Sequence, residues 1–210
     1  MRYFYELSFS HTFTATEDKV FFAYCFPYTF SKLQSFLKEL TAPKLDHLME
    51  SVLCRSLSGV DVPMLTVTSR LRSDPGGFNL IKLCDFDQDS EVELKLSSKK
   101  RKQYVIVSGR VHPGETPGSW MMHGFLKHLI GNSRAAVELR KRYIFKIVPM
   151  INVDGVIIGN YRTSFSGNDL NRKYLDPNRK LHPEVATLKN LMNDLVTGKY
   201  KCNWGKTAGD

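Results

Sequence analysis

Two residues whose side chains can ligate a metal, His112 and Glu115, lie three positions apart in the stretch GRVHPGETPGSW. Pro113 disfavours the α region for His112, and Gly114 permits a tight turn, so both side chains can converge on one point from a loop. An imidazole and a carboxylate suit zinc, which in catalytic sites takes three protein ligands and leaves one position open. The spacing is common, however, and taken alone it is better explained by a solvated polar turn.

A second group of polar residues follows the apolar stretch YIFKIVPMIN, and it contains Arg162, Asn171 and Arg172. One guanidinium can bind a carboxylate through two hydrogen bonds, and another can face the oxyanion that develops on an attacked carbonyl. Asn171 can add a hydrogen bond to the same carboxylate. Each arginine alone would be assigned a surface role. Together with His112 and Glu115 they describe a metal-assisted peptidase that binds a free C-terminus.

These side chains need elements that bring them to one edge of a sheet. QYVIVSG predicts a strand buried on both faces, and Thr116, followed by proline, predicts the N-cap of a helix that ends at Gly131. A short basic helix is expected at 133–142. YIFKIVPMIN predicts a second buried strand that ends in a tight Asn-x-Asp-Gly turn. Strand, helix and strand in this order predict a parallel pair in an α/β sheet, where ligands collect at the carboxyl ends.

The rest of the chain carries weaker patterns. Before residue 54 they predict two strands within 1–26, a helix capped by Ser31 that reaches Leu40, and a short helical or irregular piece at 45–53. The stretch SLSGVDVPMLTVTS predicts a hairpin with its turn near Gly59–Asp61, and SDPGGFN predicts a further turn. A last helix is expected over 183–195.

Composition limits the class of protein. A hydrophobic content of 42% and a charged content of 24% are typical of a globular protein, and the net charge of +9 favours an acidic partner. Four scattered cysteines without a CxxC motif argue against a disulfide framework and favour a reducing compartment. With no signal peptide and no spanning segment, we predict a cytosolic protein that binds no membrane. The basic run SSKKRK is better explained as a solvated loop than as a nucleic-acid patch, and no nucleic-acid partner is expected.

Four motifs in order along the chain carry a family resemblance: SLSGVDVPMLTVT, GRVHPGETPGSW, NVDGVIIGNYR and DLNRKY. They resemble signatures of the M14 zinc metallocarboxypeptidases, and more narrowly the cytosolic carboxypeptidase (ATP/GTP-binding-protein-like) subfamily, types 2 and 3 above all. The resemblance implies a mixed, mostly parallel sheet flanked by helices. It also implies the end of an N-terminal β-domain at 1–26, the first part of a catalytic domain at 27–195, and a divergent tail at 196–210.

The resemblance also implies roles for individual residues. His112 and Glu115 match the first two zinc ligands. Arg162 matches the arginine that polarises the scissile carbonyl and stabilises its oxyanion, and Asn171 and Arg172 match the pair that anchors the substrate's terminal carboxylate. Members of the subfamily remove C-terminal acidic residues, notably glutamates of polyglutamylated tubulin. A basic protein that acts on acidic tails is electrostatically reasonable.

The family's third zinc ligand, a histidine, and its general base, a glutamate, are expected beyond the last predicted helix. The tail GKYKCNWGKTAGD contains no histidine, and His182 in LHPEV is expected to begin a helix rather than to bind metal. We therefore expect a shortened form, such as an alternative-splice product, with an incomplete site. The alternatives are a non-catalytic protein that binds acidic tails through Arg162, Asn171 and Arg172, and, less favoured, a nucleic-acid binder that uses KKRK.

Overall fold

The computed structural model describes residues 6–69 and 102–200 of the 210-residue chain. Its described strands form one sheet in the order β1-β2-β4-β3. The strands are β1 (Leu48–Arg55), β2 (Asp61–Val67), β3 (Gln103–Ser108) and β4 (Tyr143–Val148). β3 and β4 pair in parallel as predicted, whereas β1 with β2 and β2 with β4 pair antiparallel. The sheet is mixed, as expected, but antiparallel pairs outnumber the parallel pair among the described strands.

Helices flank this sheet and make the fold α/β. They are α1 (Phe30–Thr41), α2 (Thr116–Ile130), α3 (Arg134–Arg142), α4 (Val153–Ile158) and α5 (Pro183–Val196), with a 3-10 turn at Leu170–Arg172. α5 packs against β1, and α1 contacts both β1 and α4. The helices predicted at 133–142 and 183–195 are confirmed to within one residue at each end.

The core lies on the two central strands, β2 and β4. Val62, Leu65 and Val67 of β2 and Ile147 and Val148 of β4 have no exposed surface, as expected of near-continuous apolar strands. β3 differs, because its four apolar or aromatic residues are only half-buried. It pairs with β4 on one side, and no other described strand covers its second edge. Because these four side chains alternate between the two faces and are all partly exposed, the prediction that this strand is buried on both faces is wrong for the described part of the chain.

The N-terminal segment also departs from expectation. Residues 6–26 form no strand or helix, and most of their aromatic side chains are exposed. Alternation alone does not make a strand, since the backbone needs a neighbouring strand for its hydrogen bonds, and no described segment supplies one here. The turn predicted at SDPGGFN and the run SSKKRK, apart from Lys102, lie outside the described residues, as do residues 1–5.

Two local predictions before residue 60 are corrected. Thr29, rather than Ser31, caps α1, since its Oγ1 accepts a hydrogen bond from the Lys32 amide at 3.1 Å. The piece expected to be helical or irregular at 45–53 contains most of β1, because pairing with β2 outweighs its weak local preference. The hairpin turn near Gly59 is confirmed, closed by the Ser56 amide on the Val60 carbonyl at 2.8 Å.

Candidate active site

The carboxyl ends of β3 and β4 stay paired beyond the strands themselves. The Gly109 amide donates to the Val148 carbonyl at 2.9 Å, and the Ile151 amide donates back to the Gly109 carbonyl at 2.9 Å. The Asn152 amide then donates to the Arg110 carbonyl at 3.3 Å. The loop that follows each strand is thus held beside the other, at the position where α/β sheets gather ligands.

The turn 112–115 places its two polar side chains together. His112 is 7% exposed, whereas the Glu115 side chain is 53% exposed. His112 Nδ1 and Glu115 Oε1 lie 3.0 Å apart. Gly114 is required here, because a Cβ atom at this position would lie 2.3 Å from the ring of Tyr161, whose carbonyl accepts from the Gly114 amide at 2.7 Å.

The start of α2 differs from the prediction in a way that matters for the site. Glu115 is the N-cap residue and Thr116 the first residue of the helix, with Pro117 in the first turn. The Glu115 side chain makes no capping hydrogen bond. The Thr116 hydroxyl is buried and has no hydrogen-bond partner among the described residues. The Glu115 carboxylate therefore faces His112 and does not accept hydrogen bonds from the free amides at the start of α2.

Asp169 joins the two loops. Its Oδ1 lies 3.1 Å from His112 Nε2 and accepts from the Asn171 amide at 2.9 Å, while its Oδ2 accepts from Arg162 Nε at 2.9 Å. Partial burial acts to raise the pKa of Asp169, but hydrogen bonds from His112 and the Asn171 amide, together with the charge of Arg162, bring that pKa below its ordinary value. Asp169 is thus held as a carboxylate between an imidazole and a guanidinium.

The structure brings His112, Glu115 and Arg162 into one cluster around Asp169. Arg162 is 45% exposed at its side chain, and its one hydrogen bond in the described part of the chain uses Nε. Asn171 and Arg172 follow directly in the 3-10 turn with exposed side chains. Neither side chain has a hydrogen bond or ion pair with residues 6–69 or 102–200. Their assigned roles stay predictions.

Asn152 and Gly155 support the turn from the side of β4. The segment predicted to be a tight Asn-x-Asp-Gly turn is instead the start of α4, because Asn152 Oδ1 caps it by accepting from the Gly155 amide at 3.1 Å. Asn152 Nδ2 donates to the Val111 carbonyl at 3.1 Å. A Cβ atom on Gly155 would lie 2.4 Å from Pro113 Cγ, so α4 packs directly beneath the turn.

The donor set at this turn fits zinc. Both ring nitrogens of His112 face a carboxylate oxygen, Nδ1 that of Glu115 and Nε2 that of Asp169. Because a carboxylate only accepts, Asp169 can orient the ring through an N–H at Nε2. His112 Nδ1 and Glu115 Oε1 lie 3.0 Å apart, and they are the nitrogen and oxygen donor types that zinc binds. Two ligands of one tetrahedral zinc lie about 3.3 Å apart, and a zinc-binding histidine ordinarily donates its other N–H to a carboxylate.

Within residues 6–69 and 102–200, no cluster of three or more His, Cys, Asp or Glu side chains is arranged to hold a metal ion. His182 begins α5, as predicted. Its Nδ1 accepts from the Asn178 amide at 3.2 Å, and its buried Nε2 has no hydrogen-bond partner in the part of the chain that the structure describes. Burial lowers the pKa of His182, which favours its neutral ring.

Asp169 is the residue that the sequence analysis missed. It lies in the motif DLNRKY, in which the resemblance implies roles only for Asn171 and Arg172. The available signal was an acid two residues before a predicted carboxylate-binding pair in a basic neighbourhood, which needs a partner. The histidine as that partner was not deducible, because 57 residues separate the two.

Comparison with known proteins agrees with this geometry. A family model described as zinc carboxypeptidase, peptidase M14, matches residues 33–201. The chain belongs to the M14 zinc carboxypeptidase family.

Several curated relatives carry the name cytosolic carboxypeptidase. Mouse cytosolic carboxypeptidase 1 is 40% identical over 199 residues, which are 93% of this chain and 15% of the relative. Zebrafish cytosolic carboxypeptidase 2 is 39% identical over 91% of this chain and 24% of its own length, and mouse cytosolic carboxypeptidase 3 is 39% identical over 93% and 17%. These identities do not separate the types. The chain spans less than a quarter of the length of these relatives.

Solved structures show the same fold. A metallo-carboxypeptidase from Burkholderia cenocepacia superposes with a TM-score of 0.61 at 26% identity, covering 80% of this chain and 38% of that one. A metallo-carboxypeptidase from Pseudomonas aeruginosa gives 0.60 at 24% over 80% and 37%, a likeness of fold alone. In the part of this chain that the structure describes, no helix combines the length and apolarity needed to cross a bilayer.

Proposed function

We propose that the protein is a zinc metallocarboxypeptidase of the cytoplasm that removes C-terminal acidic residues, glutamates above all, from polypeptides such as polyglutamylated tubulin. The observation that carries this proposal is the juxtaposition of His112 Nδ1 and Glu115 Oε1 at 3.0 Å, with Asp169 at the other ring nitrogen. The family match and the cytosolic carboxypeptidase relatives support it.

Each residue of the cluster has a distinct part in this proposal. His112 and Glu115 would supply two of the three protein ligands of the zinc ion, and Asp169 orients the imidazole through Nε2. A bound zinc ion supplies Lewis-acid polarisation of a carbonyl and activation of water. Arg162 donates to Asp169 through Nε only, so its terminal nitrogens can donate hydrogen bonds to a substrate carbonyl.

The substrate's end is assigned to Asn171 and Arg172. A guanidinium and an amide on adjacent residues can donate together to a terminal carboxylate. Their side chains are exposed, as a group that must meet an incoming chain needs to be. The net charge of +9 favours acidic substrates by steering, while the preference for glutamate and for tubulin rests on the resemblance to cytosolic carboxypeptidases.

The test uses two peptides with the same glutamate-rich sequence, one with a free C-terminus and one amidated. The proposal predicts zinc-dependent release of glutamate from the free peptide alone, measured by mass spectrometry, and its loss in His112→Ala. His128→Ala is the matched control, since His128 is exposed on α2 and makes no contact with the turn 112–115. Equal cleavage of both peptides, or cleavage by His112→Ala, would overturn the proposal.

A second candidate function is binding of acidic tails without cleavage. The exposed side chains of Asn171 and Arg172 favour it, because a carboxylate-binding pair does not require a complete metal site. Binding of the free peptide, with no glutamate released and with affinity lost in Arg172→Ala but kept in His112→Ala, would select this function. Equal binding of the free and amidated peptides would exclude both functions.

A further inference from the structure

A buried arginine, Arg110, lies two residues before His112 and has an unusual backbone conformation. Its φ of +57° is in the left-handed region, which a residue with a side chain rarely adopts because it is strained. The residue is 7% exposed. Strain of this kind persists only where the surrounding contacts fix it, so the contacts of Arg110 explain the conformation.

The guanidinium of Arg110 joins three separate segments. Nε donates to the Pro113 carbonyl at 2.7 Å, inside the turn 112–115. Nη1 donates to the Ser119 hydroxyl at 2.8 Å, in the first turn of α2, and to the Tyr28 carbonyl at 3.0 Å, just before α1. The bond to Pro113 holds the peptide group that lies between the two candidate zinc ligands.

The partners of this guanidinium are neutral. Within the described residues no carboxylate forms an ion pair with Arg110, and burial lowers its pKa below the ordinary value of an arginine. Burying a cation costs free energy, and hydrogen bonds to neutral acceptors offset that cost only in part. A hydrophobic residue of the same size would serve packing better, which indicates that this side chain is used for its directed donors.

Arg140 makes the same kind of contact at the other end of α2. Its Nη1 donates to the Leu129 carbonyl and, at 2.7 Å, to the Gly131 carbonyl, and the residue is 5% exposed. These bonds close the C-terminal end of the helix and involve no residue of the candidate site. Arg140 is therefore a control for the loss of a buried guanidinium as such.

We propose that Arg110 is a positioning residue, which fixes the distance between His112 and Glu115 by tying the Pro113 carbonyl to α2 and to the segment before α1. The proposal rests on the proposed function for its link to zinc. The fixed turn itself is a property of the chain without metal. A readout without metal therefore separates failure of this inference from failure of the proposed function.

The experiment compares Arg110→Met, Arg110→Lys and Arg140→Met in the full 210-residue chain. Hydrogen exchange of the Gly114 amide, which donates to Tyr161, reports the order of the turn. We expect Arg110→Met to raise this exchange rate at least 10-fold more than that of amides in β2, and Arg110→Lys to restore part of the protection. Arg140→Met should destabilise the fold without a selective effect at Gly114.

Zinc affinity, measured by competition with a chromophoric chelator, is the second readout. Loss of a residue that orients metal ligands weakens binding about 10- to 100-fold, and we expect this for Arg110→Met but not for Arg140→Met. Absence of zinc binding in the unaltered chain would contradict the proposed function, while the exchange data still test Arg110. Equal exchange at Gly114 in the two methionine variants would overturn the inference. If Arg110→Met fails to fold, Arg110→Lys is compared with Arg140→Lys in the same way.

Discussion

Two carboxylate clusters adjoin α4, and they use their acids differently. In one, Glu115 faces His112 with half of its side chain exposed, so its carboxylate has capacity to bind a cation. In the other, Asp154 is 2% exposed and accepts from the Ser56 hydroxyl at 2.6 Å, the Ser58 hydroxyl at 2.5 Å and the Ser58 amide at 3.0 Å. The first cluster is open and the second is closed.

The difference separates residues that hold the fold from residues that are free to bind something. Every donor around Asp154 comes from the β1–β2 hairpin, so this carboxylate fastens α4 to the sheet. Gly155, the next residue of α4, packs against Pro113, so the position of α4 determines where the turn 112–115 lies. The closed cluster thus supports the open one, and substitutions in the two should affect different quantities.

Asp154→Ala is expected to have the largest effect on stability. It leaves the hydroxyls of Ser56 and Ser58 and the Ser58 amide without their acceptor, which we expect to lower the free energy of unfolding by about 3 kcal/mol. Urea denaturation measures it. Asp61→Ala is the control on the same hairpin, because Asp61 pairs with Arg55 on the surface and should change stability by less than about 1 kcal/mol. An equal loss of unfolding free energy in Asp154→Ala and Asp61→Ala would show that the closed cluster does not stabilise the fold.

Glu184 makes the closed cluster sensitive to pH. Burial, and after it the neighbouring carboxylate of Asp154, raises the pKa of Glu184 from 4.5 to about 7. Between these values the folded protein binds a proton that the unfolded chain has released, so stability falls as the pH rises from 4.5 through about 7. We expect Glu184→Gln to remove a fall on the order of 2 kcal/mol.

The measurement is the free energy of unfolding at pH 5 and at pH 8 for the unaltered chain and for Glu184→Gln. Glu39→Gln, on the exposed face of α1, should leave the fall unchanged. A pH dependence that is the same in all three proteins would show that Glu184 is not the titrating group.

Gly155→Ala tests whether the two clusters are coupled. The added methyl group would lie 2.4 Å from Pro113 Cγ and 2.8 Å from the Thr163 carbonyl, and neither neighbour is the end of a flexible side chain. We expect a loss of about 2 kcal/mol, from overpacking offset by better helix propensity, together with weaker zinc binding because Pro113 must move. Gly124→Ala is the control, since Gly124 lies in α2 with open space around it and should be neutral or slightly stabilising.

The contrast also explains what the sequence could and could not predict. Local patterns were sufficient to predict the parallel strand pair, helix α5 and the candidate residues His112, Glu115 and Arg162. Apolar runs and loop motifs of this kind are contiguous in sequence. The orienting role of Asp169 and the closed cluster of Asp154 depend on partners 57 and 98 residues away. The position of β3 at the edge of the described strands likewise depends on which strands pair, which no single strand specifies.

Glu115→Gln is expected to change stability least while removing the proposed function. The side chain is half exposed and caps nothing, so we expect the free energy of unfolding to change by less than about 0.5 kcal/mol. The amide keeps the shape but loses the negative charge that faces His112 Nδ1, and zinc affinity should fall at least 10-fold in chelator competition. Asp154→Asn is the paired variant, with the opposite expectation of a clear loss of stability. A large loss of stability in Glu115→Gln would mean that this carboxylate is structural as well, and the distinction between an open and a closed cluster would fail.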